Sequence, residues 1–323
     1  MRHRSAQETS NVELPGYIAL YDAGELQQRA SIAQAALARC ELCPHRCGVD
    51  RLAGERGICG MGDLPKVSSW NLHAWEEPPI SGKRGSGTIF FSGCTGRCRF
   101  CQNYPISQLG YGDVVSIDRL ASMMLELQRR GAHNINLVTP SHFVPAILAA
   151  LAHAVRQGLH LPLVYNSSGY ERVETLQLLE GVVEIWLPDA KYADSAIAQR
   201  LSGFRDYVEH NHAALREMHR QVGAELVLDR VSLARRGLIV RHMVLPGGLA
   251  GSEAVLAWIA QELDPQIHVS LMDQYFPAHR AVGDAVLGRK VSPDEYAAAL
   301  EAFDASGLEN GWREVSARWD DGG

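Results

Sequence analysis

The 323-residue sequence has no apolar run approaching the roughly 18 residues of a membrane span, and its polar start lacks the apolar segment of a signal peptide. We therefore expect no membrane contact and a cytoplasmic location. Positive charge is also scarce, because 31 lysines and arginines stand against 37 acidic residues, a formal net charge of −6. This balance disfavours nucleic acid as a partner. No internal repeat of fixed period is present, which argues against a solenoid.

The chain carries seven cysteines, an odd number that disulfide bonds alone cannot use up. In a reducing compartment such a set fits the ligation of a metal ion or a cluster. The cysteines form two groups, four in the N-terminal part and three farther along: Cys40, Cys43, Cys47 and Cys59, and then Cys94, Cys98 and Cys101.

The second group, spaced C-x-x-x-C-x-x-C, offers three thiolates within eight residues. A [4Fe-4S] cluster normally takes four cysteine ligands, so three cysteines leave one iron open for a substrate or a cofactor. A zinc knuckle or buried free thiols are the alternatives, although zinc sites favour four ligands.

The first group, spaced C-x-x-C-x-x-x-C-(x11)-C, offers four soft ligands on a loop that contains glycines. Four thiolates can close a tetrahedral site, which suits an auxiliary [4Fe-4S] cluster or a structural zinc ion. The Cys-Pro step within the run favours the cluster, since a zinc ribbon more often presents two C-x-x-C knuckles. Unliganded cysteines are the remaining alternative.

From residue 88 onward, β-branched and aromatic runs alternate with segments of helical apolar spacing. Strands are predicted at 88–92, 135–138, 163–166, 183–187, 238–245 and 268–272. Helices are predicted before the first cysteine group and at 117–130, 145–155, 171–179, 203–222, 252–263 and 293–303. This alternation predicts an α/β fold with a parallel sheet.

In such a sheet, ligands gather at the carboxyl ends of the strands, so polar residues there are candidate site residues. They follow the second, third and fourth strands or lie in the fifth: Thr139, Ser141, His142, Asn166, Ser168, Asp189, Lys191 and Arg241. Helix caps and a surface salt bridge are the structural alternatives for the first seven. Arg241 stands in an apolar strand and needs an anionic partner.

The three-cysteine loop after a predicted strand resembles that of the radical S-adenosylmethionine (radical SAM) enzymes. The resemblance implies that the open iron chelates the amino and carboxylate groups of SAM. Reductive cleavage of SAM then yields a 5'-deoxyadenosyl radical that abstracts hydrogen from a substrate. Phe100, which precedes the third cysteine, also fits this family, in which the backbone at that position recognises adenine.

Two further elements are similar to those of glycyl-radical enzyme activases: Asp189-x-Lys191, and the Ile-Arg-x-x-Val-x-Pro-Gly strand that contains Arg241. The resemblance implies catalytic roles for these three residues. It implies SAM contacts from Asp189, Arg241 and a further set: Phe100, Thr139, Ser141, His142, Asn166 and Ser168. The second strand departs from the family pattern, because His142 stands where a glutamate normally holds the SAM amino group.

With its front cysteine group, the chain resembles the iron-sulfur proteins described as pyruvate formate-lyase activating enzyme-like. This resemblance implies an oxidoreductase on a partial (β/α)6 TIM-type barrel over 81–323, preceded by an N-terminal cysteine-rich extension over 17–80. A flexible tail is expected over 1–16. It implies a reductant such as flavodoxin or ferredoxin and, as target, a glycyl-radical enzyme, a peptide or a small metabolite. A non-catalytic zinc-binding interaction protein is the alternative from another class.

Overall fold

The structure, a computed structural model, describes residues 14–313, so the predicted tail falls almost entirely outside the described residues. Within this range the strands are β1 Lys66–His73, β2 Ser86–Phe91, β3 Asp113–Val114, β4 Ile135–Val138, β5 Leu163–Ser167, β6 Ile185–Pro188, β7 Val227–Leu228, β8 Ala234–Met243, β9 His268–Met272 and β10 Asn310–Arg313. They form one sheet in the order β10-β9-β8-β6-β5-β4-β2-β1-β3, with β7 beside β8. The path from β10 to β2 is parallel throughout.

The α-helices of the same range are α1 Gly16–Asp22, α2 Glu25–Ala35, α3 Pro78–Ser81, α4 Tyr104–Ser107, α5 Ile117–Arg129, α6 Val144–Arg156, α7 Val173–Gln177, α8 Ser195–Ser202, α9 Tyr207–Val222, α10 Ser252–Trp258 and α11 Pro293–Ser306. The predicted start of α5 is confirmed, because the Ser116 side chain accepts a hydrogen bond from the Arg119 amide at 3.1 Å. Each helix in this part of the chain falls short of the length or the apolar character that crossing a bilayer requires.

The six predicted strands are confirmed as β2, β4, β5, β6, β8 and β9, and the predicted α/β fold with a parallel sheet is confirmed with them. Sequence reasoning missed four strands. In β1 a register shift between Val67 and Ser69 interrupts the two-residue alternation that marks a strand. The short β10 contains a glycine, which weakens its strand pattern. Within the described residues the edge strands β10 and β3 do not pair, so the barrel is open.

Side chains of the parallel strands alternate between two faces. The outer face joins the main core beneath the helices, with Ile89, Leu137, Tyr165, Trp186 and Val240 among its members. The inner face carries a separate apolar cluster of β5, β6 and β8 residues: Val164, Ile185, Leu187 and Ile239. Ile80, from the segment that joins β1 to β2, is fully buried in that cluster. The β1–β2 segment therefore crosses the inner face.

The N-terminal extension is joined closely to the barrel. Helices α1 and α2 pack against α6, and the hydroxyl of the fully buried Tyr17 donates to the Leu161 carbonyl at 2.7 Å. At its other end the extension supplies β1, which pairs with β2. The four-cysteine loop between these two anchors is thereby held close to the sheet.

Replacing the buried Ile80 tests whether the β1–β2 segment closes the inner face. We expect Ile80→Ala to lower the free energy of unfolding by about 2–5 kcal/mol, because it leaves a cavity in a packed cluster. Ile32→Ala is the matched control, since Ile32 is 52% exposed and its loss should cost within about 0.5 kcal/mol. Chemical denaturation of both variants, prepared identically, measures the difference. Equal costs would contradict the packing described.

Candidate active site

The three-cysteine loop begins directly after β2, at the carboxyl edge of the parallel strands. Cys94, Cys98 and Cys101 are all free thiols. Gly93, at the start of the loop, has φ 77°, and a Cβ there would lie 2.7 Å from the Cys59 carbonyl oxygen. A larger residue is therefore excluded, and the loop passes directly against the four-cysteine group.

Burial governs the chemistry of these thiols. It raises the pKa of Cys94 to about 12, and the neighbouring Cys98 adds to the rise. Burial also raises the pKa of Cys98, while the ammonium of Lys191 opposes that effect. Such thiols lose their protons when a metal supplies compensating charge. Three adjoining thiols beside one ammonium fit a cluster that takes three cysteine ligands.

The thiols of the four-cysteine group lie within electrostatic range of one another. Burial raises the pKa of Cys43, and the nearby thiols of Cys59 and Cys47 add to the rise. Cys59 in turn interacts electrostatically with Cys40 and Cys47. Within residues 14–313, no three or more His, Cys, Asp or Glu side chains are arranged around a single ion. This finding applies to sites for a single ion. It does not bear on a [4Fe-4S] cluster, in which each cysteine binds a different iron.

Arg51 links the four-cysteine group to the end of β4. Its side chain is buried, with Nη1 donating to the His142 carbonyl at 2.8 Å and lying 3.8 Å from the Cys40 sulfur. A buried guanidinium needs compensating negative charge, which thiolates provide. Sequence reasoning missed Arg51, although an arginine between cysteines of one group was a usable signal.

Two hydrogen bonds join the cysteine loops to each other. His45 donates through Nε2 to the Thr95 carbonyl at 2.7 Å, and Arg97 donates to the Ile58 carbonyl. Each bond runs from a side chain of one loop to the backbone of the other. The two loops therefore form one structural unit over the strand ends.

The end of β4 is held in an uncommon conformation. Thr139 has φ 59°, in the left-handed region that β-branched residues rarely adopt, and its amide donates to the Asn166 carbonyl at 2.9 Å. Strain of this kind costs on the order of 1–3 kcal/mol and is found at active sites and ligand clamps. The structure thus brings Thr139 and Asn166 together at neighbouring strand ends, as the parallel pairing predicts.

His142 lies beneath the three-cysteine loop and is 2% exposed. Its Nε2 donates to the Ser92 carbonyl at 2.8 Å, two residues before Cys94. Burial lowers the pKa of His142 to about 3, so the ring is neutral at physiological pH. The structure therefore places His142 in contact with the backbone that leads into the three-cysteine loop.

Ser141 turns toward a carboxylate that sequence reasoning missed. Its hydroxyl donates to Glu171, and the Tyr165 hydroxyl donates to the same carboxylate at 3.4 Å. Burial raises the pKa of Glu171 to about 7, against the opposing hydrogen bonds from Ser141 and Ser167. The sequence pattern assigned Glu171 to the start of a helix, whereas only the fold brings it beside the end of β4.

Helix α9 fixes the loops that follow β5 and β6. The Tyr207 hydroxyl donates to the Ser168 carbonyl at 2.9 Å and accepts from the Lys191 amide at 2.9 Å. Gly169 has φ 66°, and a Cβ there would overlap the carbonyl oxygen of Asp189. Phe100, buried across the site, packs on Tyr275 with ring centroids 5.6 Å apart.

Asp189, Lys191 and Arg241 meet at this edge of the sheet. Lys191 Nζ lies 2.6 Å from Asp189 Oδ2, and the backbone of Asp189 pairs with that of Arg241 in a short parallel β-bridge. Although burial lowers the pKa of Lys191, the charges of Asp189 and Cys98 outweigh it and raise the pKa. The three residues predicted to act in catalysis are therefore adjacent to one another and to the three-cysteine loop.

The anionic partners of Arg241 come from the β1–β2 segment, which sequence reasoning passed over. Arg241 Nε lies 3.0 Å from Glu77 Oε1, and its Nη1 lies 3.9 Å from Glu76 Oε2. Both glutamates are largely buried on the inner face. Two successive glutamates before a Pro-Pro step carry no metal or catalytic spacing, so only their placement reveals them.

The match to a protein-family model agrees with this geometry. Residues 88–247 match the family model of the radical SAM superfamily. The uncharacterized protein MJ0674 of Methanocaldococcus jannaschii is 29% identical over 296 residues, covering 88% of this chain and 80% of the relative. Methylornithine synthase (PylB), among solved structures, aligns with a TM-score of 0.42 and 14% identity over 66% of this chain and 60% of its own.

The open α/β barrel and its three-cysteine loop define the class: the chain carries a radical SAM superfamily domain and is a radical SAM enzyme. The superfamily implies a [4Fe-4S] cluster and SAM as cofactors, together with an electron donor. The superfamily match excludes the alternative that the chain is a non-catalytic zinc-binding protein. The activase-like branch is a finer assignment and remains a prediction.

A double-mutant cycle measures the Asp189–Lys191 pair. We expect Asp189→Asn and Lys191→Met to show a coupling energy of about 1–3 kcal/mol, because the two side chains are only 17% and 20% exposed. Glu262→Gln and Arg216→Met form the control cycle, since that pair is more than half exposed and should couple by about 0.2–1 kcal/mol. Chemical denaturation without SAM gives both values, and equal couplings would contradict the assignment.

Proposed function

We propose that Cys94, Cys98 and Cys101 hold the cluster at which this enzyme cleaves SAM. The observation that carries the proposal is the adjacency of this loop to Asp189, Lys191 and Arg241 at one edge of the sheet. When bound, the cluster and SAM supply one-electron cleavage of SAM to methionine and a 5'-deoxyadenosyl radical, which abstracts hydrogen. Flavodoxin or ferredoxin is the proposed electron donor.

The protein's part in this proposal is to bind and orient SAM. Lys191 and Arg241 can receive the SAM carboxylate, and Asp189 can receive its ammonium, as charge-assisted hydrogen bonds. The backbone beside Phe100 is proposed to recognise adenine, and Asn166 and Ser168 to contact the ribose hydroxyls. These assignments rest on the family resemblance and on the shared position of the residues at the strand ends.

The residues after β4 have a less direct place in the proposal. Thr139 remains a candidate SAM contact, supported by its strained backbone beside Asn166. Ser141 and His142 are proposed to position other groups. Ser141 donates a hydrogen bond to Glu171, and His142 donates one to the backbone before Cys94. Glu171 is buried behind Ser141, so it orients the β4 end.

For the four-cysteine group we propose a second [4Fe-4S] cluster, with a structural zinc ion as the alternative. The supporting observation is Arg51, whose buried positive charge beside Cys40 suits an anionic thiolate-ligated centre. The hydrogen bonds between the two loops keep this centre next to the catalytic one.

A pair of cysteine variants tests the cluster assignment. We expect Cys98→Ala to lose about four irons and four sulfides and to abolish formation of 5'-deoxyadenosine from SAM under reducing, anaerobic conditions. Cys43→Ala is the matched control; it should keep that reaction but lose about four irons, or one zinc if the second site is zinc. Metal analysis and chromatography of the products provide the measurements. Undiminished cleavage of SAM by Cys98→Ala would refute the proposal.

The finer proposal is that the enzyme activates a glycyl-radical enzyme, supported by the Asp189-x-Lys191 element and the Arg241 strand. Anaerobic incubation of enzyme, SAM and reductant with a glycyl-radical enzyme should then produce a glycyl radical, detected by electron paramagnetic resonance. Omitting SAM is the control and should abolish the signal. Cleavage of SAM without any glycyl radical would favour a peptide or a small metabolite as substrate.

A further inference from the structure

The inner face of the barrel changes from apolar to charged in the direction of the strand ends. Asn136 belongs to this face, because its neighbours Ile135 and Leu137 are members of the outer core. By the same alternation Arg241 faces inward, between the outer residues Val240 and His242. Asn136 and Arg241 each lie two residues before the end of their own strand.

Glu76 and Glu77 meet these two residues from the β1–β2 segment. Asn136 Nδ2 donates to Glu76 Oε1 at 3.2 Å, and Glu77 Oε1 lies 3.0 Å from Arg241 Nε. The backbone of Glu77 is fixed as well, because its carbonyl accepts from the Ile80 amide at 2.8 Å. These four polar side chains form a cluster that we call the inner polar layer: Glu76, Glu77, Asn136 and Arg241.

The inner polar layer contains two buried acceptors that nothing in residues 14–313 satisfies: Glu77 Oε2 and Asn136 Oδ1. Glu77 is 5% exposed and Asn136 is fully buried. A carboxylate oxygen and an amide carbonyl oxygen can only accept hydrogen bonds. Buried polar atoms are nearly always paired in native proteins, so each calls for a donor from a ligand or an ordered water.

The charge of this region indicates which donor it needs. Glu76, Glu77 and Asp189 supply three carboxylates, whereas Arg241 and Lys191 supply two cations. Burial raises the pKa of Glu76 to about 7, with Arg241 opposing the rise and Glu77 adding to it. A positively charged donor completes the balance, and a neutral hydroxyl does not.

The inner polar layer lies between the apolar cluster around Ile80 and the edge that carries Asp189, Lys191 and the three-cysteine loop. We propose that the hydrogen-donor substrate of this enzyme carries a protonated primary amine, which donates to Glu77 Oε2 and Asn136 Oδ1. The inference rests on the proposed function, because it assigns the substrate class of the same radical SAM site.

Small amines test the proposal without knowledge of the substrate. The probe is n-butylammonium, compared with n-butanol and n-butyrate, titrated into the anaerobically reconstituted, SAM-bound full-length enzyme by calorimetry. We expect the amine to bind and the neutral and anionic probes not to bind. Equal binding of butanol, no binding of the amine, or displacement of SAM by the amine would overturn the inference.

Two variants assign the binding to the inner polar layer. Glu77→Gln should weaken binding of n-butylammonium by about tenfold or more, because it removes one charge-assisted acceptor. Glu262→Gln is the charge-matched control, because Glu262 is an exposed carboxylate in the helical turn that follows α10. This variant should bind the amine as the unaltered enzyme does. Equal binding by both variants would overturn the proposal.

A second measurement covers the case in which Glu77→Gln does not fold. Asn136→Ser should then weaken amine binding, with native folding checked by its circular dichroism spectrum, and unchanged binding would overturn the proposal. Failure of the unaltered enzyme to cleave SAM refutes the proposed function. Cleavage of SAM without amine binding refutes this inference alone, so the two failures are distinguishable.

Discussion

The in-register pairing of the parallel strands is the constraint on which the active site depends. Because β2, β4, β5, β6 and β8 run in one direction, their carboxyl ends lie at one edge. The cysteine loop, Thr139, Asn166 and Asp189 all follow or end these strands and so become neighbours. Strain at Thr139 and the close approach at Gly169 are the local costs of placing these loops together.

The N-terminal extension contacts the candidate site. Its cysteine loop is held against the three-cysteine loop by His45 and Arg97, and Arg51 extends the connection to the backbone of His142. These are hydrogen bonds to backbone carbonyls, so they position whole loops and not single side chains. The two cysteine loops are therefore joined through direct contacts.

The β1–β2 segment performs two tasks on the inner face. Ile80 closes the apolar part, and the two preceding glutamates bring negative charge against Arg241. An arginine in the apolar part of β8 requires such compensation, and Asp189 and Lys191 at the strand ends extend the network. The inner face below the three-cysteine loop is therefore polar, and among the described residues two of its buried acceptors are unpaired.

Much of this enzyme could be predicted from local sequence. The alternation of strands and helices determined the fold class, and the spacing of Cys94, Cys98 and Cys101 determined the reaction class, because both are short-range patterns. Only the tertiary structure decided that Glu171 meets Ser141, that Arg51 meets His142, and that Glu76 and Glu77 meet Arg241. These partners are between 30 and 165 residues apart in the sequence. Periodicity and spacing report neighbours along the chain, whereas compensation of buried charge selects partners in space.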